Sequence, residues 1–151
     1  MAEYTFDTCV FIELFRRYPE DIFVSIWELI EGMLLENRII IIKDVVDELS
    51  RIHDKVYEYV KERKKNIFEL TEDVQVILKN IIIRFPDWVN PYNMSNAADP
   101  CLVALGKTFN LKVITQETIK GNKLRIPYIC NKIDVRCGNL IDFLRENRVR
   151  V

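Results

Sequence analysis

The sequence predicts an α/β fold in which a central parallel sheet is covered by helices on both faces. Two observations carry this. Short apolar runs (Tyr4 to Phe6, Ile39 to Ile42, Leu111 to Ile114 and Val135 to Cys137) are separated by longer stretches with helical spacing. Alternation of that kind builds βαβ units and a sheet buried between helices. A third observation says where function would lie. Asp7, Asp44 and Thr115 stand where the first three runs end. In open α/β sheets, ligands bind just outside the carboxyl ends of the strands.

The elements follow in order. Tyr4-Thr5-Phe6 is a buried strand, and Asp7 closes it. Val10, Phe11, Leu14 and Phe15 then give a helical pattern that runs to Arg17 and stops at Tyr18-Pro19. A second helix is expected from Asp21 to Asn37. Its apolar face (Ile22, Phe23, Ile26, Trp27, Ile30, Met33, Leu34) is wide enough to suggest a homodimer interface beside a core. Ile39 to Ile42 reads as a buried parallel strand, with Asp44 as N-cap of the helix that carries Glu48. Residues 52 to 84 read as helical, with a new helix starting near Thr71.

Phe85 to Asn96 is a loop whose Trp88 and Tyr92 could line a site or pack on the core. Asp99 is the expected N-cap of the next helix, with Pro100 in its first position. Leu111 to Ile114 leads to Thr115-Gln116-Glu117, and then to a loop bearing Lys120, Gly121, Lys123 and Arg125. A short helix, a last strand at Val135 to Cys137 and a helix from Asn139 to Asn147 close the chain.

Length and composition bound the function. One domain covers residues 1–151, and 49% hydrophobic with 30% charged residues describes a folded globular chain. No apolar run is long enough to span a bilayer, and no secretory pattern opens the sequence, so the cytoplasm is the expected location. A net charge of −1 argues against a strongly basic nucleic-acid binder but leaves room for a local basic patch. Cys9, Cys101, Cys130 and Cys137 form no metal-binding spacing and read as reduced core residues. With His53 the single histidine, acid–base chemistry would run on carboxylates.

Each acid alone has a structural reading as a cap or a helix-start charge. Jointly, Asp7, Glu48, Asp99 and Glu117 all fall where a strand ends or a helix begins, which places them along one sheet edge. Such a cluster is tolerable if a divalent cation neutralises it, and oxygen-only donors point to Mg2+ or Mn2+.

Phe6-Asp7-Thr8, Val45-Val46-Asp47-Glu48-Leu49, Ala98-Asp99-Pro100 and Val113-Ile114-Thr115-Gln116-Glu117 resemble the successive acidic motifs of PIN-domain proteins. The likeness is greatest to small prokaryotic members, including VapC-like toxins, and especially to an uncharacterised PIN-like subgroup. The resemblance implies a three-layer α/β/α fold and a metal-dependent ribonuclease, the toxin of a toxin–antitoxin pair. Asp7 and Asp99 would be the primary metal ligands, and Glu48 a third ligand or the group that holds the attacking water. Glu117 would be the fourth acid, although the family more often has Asp there. Thr8 would support Asp7, and Thr115 would orient a ligand or water. Lys120, Lys123 and Arg125 would meet RNA phosphates. A rival is a PIN-like module that binds RNA or a protein with little hydrolysis. A phosphotransfer receiver domain is disfavoured because it needs paired acids early in the chain.

Overall fold

Four short parallel strands form the centre of the structure, a computed structural model that describes residues 1–63, 67–89 and 98–151. Strand β1 is Tyr4–Phe6, β2 Ile39–Ile40, β3 Lys112–Ile114 and β4 Cys137–Gly138. Their order across the sheet is β2-β1-β3-β4. Register is set by Tyr4↔Ile39 between β1 and β2, Phe6↔Ile114 between β1 and β3, and Val113↔Cys137 between β3 and β4. From β1 the chain goes to one side for β2, then crosses to the other side for β3 and β4. That reversal leaves a crevice at the carboxyl ends of β1 and β3, the place where such sheets bind ligands.

Eight helices flank the sheet among the described residues: α1 Thr8–Arg17, α2 Val24–Leu35, α3 Lys43–Ile52, α4 Asp54–Arg63, α5 Glu72–Arg84, α6 Ala98–Phe109, α7 Ile126–Ile133 and α8 Leu140–Glu146. The period of two along β1 sorts the layers. Phe6 meets Phe11 of α1 and Phe143 of α8 with ring centroids 5.5 and 5.0 Å apart, and Tyr4 meets Phe143 at 4.9 Å. On the other face α6 lies so close to β3 that a Cβ on Gly106 would stand 2.8 Å from Val113 Cγ2 and 3.2 Å from the Leu111 carbonyl. Helices on both faces of a parallel sheet give the three-layer α/β/α fold that the strand–helix alternation predicts.

Several expectations are corrected. Helix α2 starts at Val24, because residues 19–23 form a turn in which Ile22 and Phe23 both donate to the Pro19 carbonyl. Its broad apolar face serves the chain's own core. Ile26, Trp27, Ile30, Met33 and Leu34 are buried, and only Ile22, Val24 and Leu35 stay well exposed, so the width of the face needs no second copy. Asp44 is not an N-cap: α3 begins at Lys43, with Ile42 in the cap position. The reason is long-range. Phe68 bridges Ile42, donating to the Ile41 carbonyl and accepting from the Lys43 N–H, which keeps the chain extended through Ile42.

That bridge also breaks the helical stretch expected over 52–84, as does the extended backbone of His53 between α3 and α4. The last strand is displaced to Cys137–Gly138, because Asp134 at φ 60° ends α7 and Val135 still donates back to the Cys130 carbonyl. Trp88 packs in the core, while Tyr92 lies outside the described residues. The four cysteines are free thiols. Among the described residues no helix is long and apolar enough to cross a membrane.

Candidate functional site

Asp7 follows β1 directly and its own N–H donates to the Ile114 carbonyl, so sheet pairing fixes its backbone. It is the N-cap of α1, its Oδ1 accepting from the Thr8 N–H at 2.7 Å. The capping reading is therefore right, and it is incomplete. Oδ2 accepts from the Thr115 hydroxyl at 2.8 Å and from the Cys9 thiol at 3.0 Å. Asp7 is 5% exposed. Burial raises its pKa, and these three hydrogen bonds act against that rise.

Glu48 sits in the second turn of α3. The Thr8 hydroxyl donates to its Oε2 at 2.6 Å. Thr8 thus supports Asp7 only through its backbone and holds Glu48 with its side chain, a correction to the expected role. Burial raises the Glu48 pKa, the Thr8 bond lowers it and the Asp7 charge raises it again.

Asp99 lies inside the first turn of α6, not before it, so it is not the N-cap. The preference of a residue before proline for extended backbone yields here to the seating of α6 on the sheet. Asp99 is 9% exposed, and its pKa is pushed up to about 9. Burial is the largest cause, followed by the charges of Asp7, Glu117 and Glu48. Among the described residues, burial and these three charges all oppose its ionisation.

Glu117 has one oxygen occupied: Oε1 accepts from the Ile126 N–H at 3.2 Å and so caps α7. Burial raises its pKa, while that bond and the nearby Arg125 lower it. Thr115, 1% exposed, accepts from the Glu117 N–H at 3.1 Å, which directs its single proton towards Asp7. Lys120 and Lys123 are exposed on a turn closed by the Lys123 N–H and the Lys120 carbonyl, with Gly121 at φ 57° supplying the left-handed residue. Of the three cations, Arg125 is the one whose charge reaches the acids, through Glu117.

The structure thus brings Asp7, Glu48, Asp99 and Glu117 within Coulomb range of one another, with Thr8 and Thr115 between them. Among the described residues, no three His, Cys, Asp or Glu side chains stand together as a ready metal-binding group. Sequence reasoning missed Cys9, read only as core. Its thiol touches Asp7 and accepts from the Gln116 N–H at 3.3 Å. The one local signal was its place two residues after the strand-ending acid.

The model of the family described as "Domain of unknown function (DUF4411)" matches residues 4–151. The chain belongs to the DUF4411 family. No curated protein matches it. All four acids of this DUF4411 chain lie within the matched span, so the candidate site lies inside the family's domain.

Proposed function

We propose that this DUF4411 protein is a PIN-like ribonuclease that depends on Mg2+ or Mn2+ and hydrolyses phosphodiester bonds of RNA. The observation that carries the reading is Asp99. Burial first, and then the charges of Asp7, Glu117 and Glu48, push its pKa up to about 9 on the carboxyl edge of a parallel sheet, a strain that a bound cation would relieve. The donor set fits a hard divalent ion, since its oxygens are carboxylate and hydroxyl. Asp7, Glu48 and Asp99 would hold it. When bound, the ion supplies the charge that lets these acids ionise, and it activates water for attack on phosphorus.

The protein's own residues do the positioning. Thr115 and the Thr8 N–H fix Asp7, and the Thr8 hydroxyl fixes Glu48. Arg125, whose charge acts on Glu117, would meet a phosphate, with Lys120 and Lys123 on the turn before it. The toxin role, an antitoxin partner and cytoplasmic location rest on the sequence resemblance and composition alone. One observation favours the rival binding module: Glu117, the fourth acid, spends an oxygen on capping α7.

A mixed RNA pool incubated with the protein in Mg2+, in Mn2+ and in chelator separates the two. Cleavage that needs the cation and vanishes in Asp7→Asn supports the nuclease. RNA retained on the protein but uncut in every condition supports the binding module.

A further inference from the structure

We infer that Cys9 is a positioning residue that, paired with Thr115, leaves Asp7 a single open lone pair for a cation. The inference rests on Asp7 being a cation ligand, as proposed above. A carboxylate offers about four lone-pair sites, two on each oxygen. Oδ2 has both occupied, by Thr115 Oγ1 at 2.8 Å and Cys9 Sγ at 3.0 Å. Oδ1 has one occupied, by the Thr8 N–H at 2.7 Å. Among the described residues no further donor reaches Oδ1, so Asp7 would bind a cation through that oxygen alone.

The two donors to Oδ2 are themselves oriented, and by consecutive residues. The Gln116 N–H donates to Cys9 Sγ at 3.3 Å, and the Glu117 N–H donates to Thr115 Oγ1 at 3.1 Å. Each acceptor is left to give its one proton to Asp7. The backbone just beyond β3 is thereby keyed to the acid that ends β1, across the crevice between the two strands. The Cys9 and Thr115 side chains also lie 3.6 Å apart, so they brace each other. Removing the thiol would leave Oδ2 one partner short and the Gln116 N–H unpaired. The carboxylate would then be held by two donors instead of three, and a lone pair on Oδ2 would open beside the one on Oδ1.

The test is Mn2+ binding by the full chain, measured by isothermal titration with manganese chloride on wild type, Cys9→Ser, Cys9→Val and Cys9→Ala. Circular dichroism confirms that each is folded, and Cys9→Ala stands in should valine fail to fold. Loss of a partner that orients a metal ligand weakens binding by about 10-fold or more, which is the expectation for Val and Ala. Serine keeps a donor at the same place and is expected within about threefold of wild type. A packing role makes the opposite forecast, since valine fills the space and serine brings a polar group. Wild-type affinity in Val and Ala, or serine as weak as valine, would overturn the inference while leaving the metal site intact. A wild-type protein that takes up no Mn2+ would instead remove the metal reading, and the inference with it.

Discussion

Asp7 and Asp99 are the same residue type at the same sheet edge, both buried, and they are treated oppositely. Asp7 has three hydrogen-bond donors on its carboxylate, each within 3.0 Å. Among the described residues, the influences that act on Asp99 are burial and three like charges. The first acid is held in place by strand pairing, a helix start and the backbone beyond β3. The second is positioned by a helix that packs tightly on the sheet, in surroundings that oppose its ionisation. The difference teaches a division of labour. One half of the cluster supplies fixed geometry, and the other is an acid whose surroundings hold it protonated near neutral pH.

The largest expected effect comes from removing charge. Asp7→Asn, Glu48→Gln and Asp99→Asn should each reduce cation-dependent RNA cleavage by at least on the order of a hundredfold, since even residues that merely support a metal ligand cost 10–100-fold. Gel assays with fluorescently labelled RNA would read this. Three variants that cleave like wild type would end the nuclease reading.

Asp99 sharpens the comparison through pH. Its folded pKa is raised to about 9, above the ordinary value of 3.8. Its contribution to stability is therefore complete below about pH 4 and is lost as pH climbs through that interval to about 9. Metal-free Asp99→Asn should melt above metal-free wild type at pH 8, by on the order of 1–3 kcal/mol, and the gap should close towards pH 4. A gap independent of pH would show that the gain has another source.

Thr115→Val attacks the fixed half. It removes a donor from Asp7 and leaves the half-buried Glu117 N–H without its Thr115 partner, at a cost of about 1–3 kcal/mol in stability. Its Mn2+ affinity should fall about 10-fold. Denaturant melts and titration calorimetry read the two effects, and a loss of stability with full Mn2+ affinity would separate Thr115 from the site. Glu117→Gln should do least, because an amide oxygen can still cap α7. Glu117→Ala should lose about 0.5–2 kcal/mol, the usual worth of such a cap. A Glu117→Gln variant that lost all Mn2+ response would make Glu117 a direct ligand.

What the sequence disclosed follows the range of the forces involved. β1 and β3 were legible because buried parallel strands read as local apolar runs, and Asp7 because it closes one of them. The three-layer arrangement followed from alternation alone. Local rules failed where distant residues decide. Ile42 is held extended by Phe68, which moved the start of α3 and broke the helical stretch expected over 52–84. Asp99 was misplaced as a cap because the rule for a residue before proline is a tendency that tertiary packing can override. Cys9 was invisible because its partners Thr115 and Gln116 lie more than a hundred residues away. The width of the α2 face was real, and its use by the chain's own core could be learned only from burial.

The most direct test of the central claim is a thermal melt of wild type and Asp99→Asn at pH 7.5, each in chelator and in millimolar Mn2+. A ligand that binds only the folded state at a hundredfold excess over Kd stabilises it by about 2.7 kcal/mol. For a chain of this size that raises Tm by about 5–10 °C. The account predicts this rise in wild type, a much smaller rise in Asp99→Asn, and a higher metal-free Tm for the variant than for wild type. An equal Mn2+ shift in both proteins would place the ion elsewhere and contradict the claim that these four acids form a cation site.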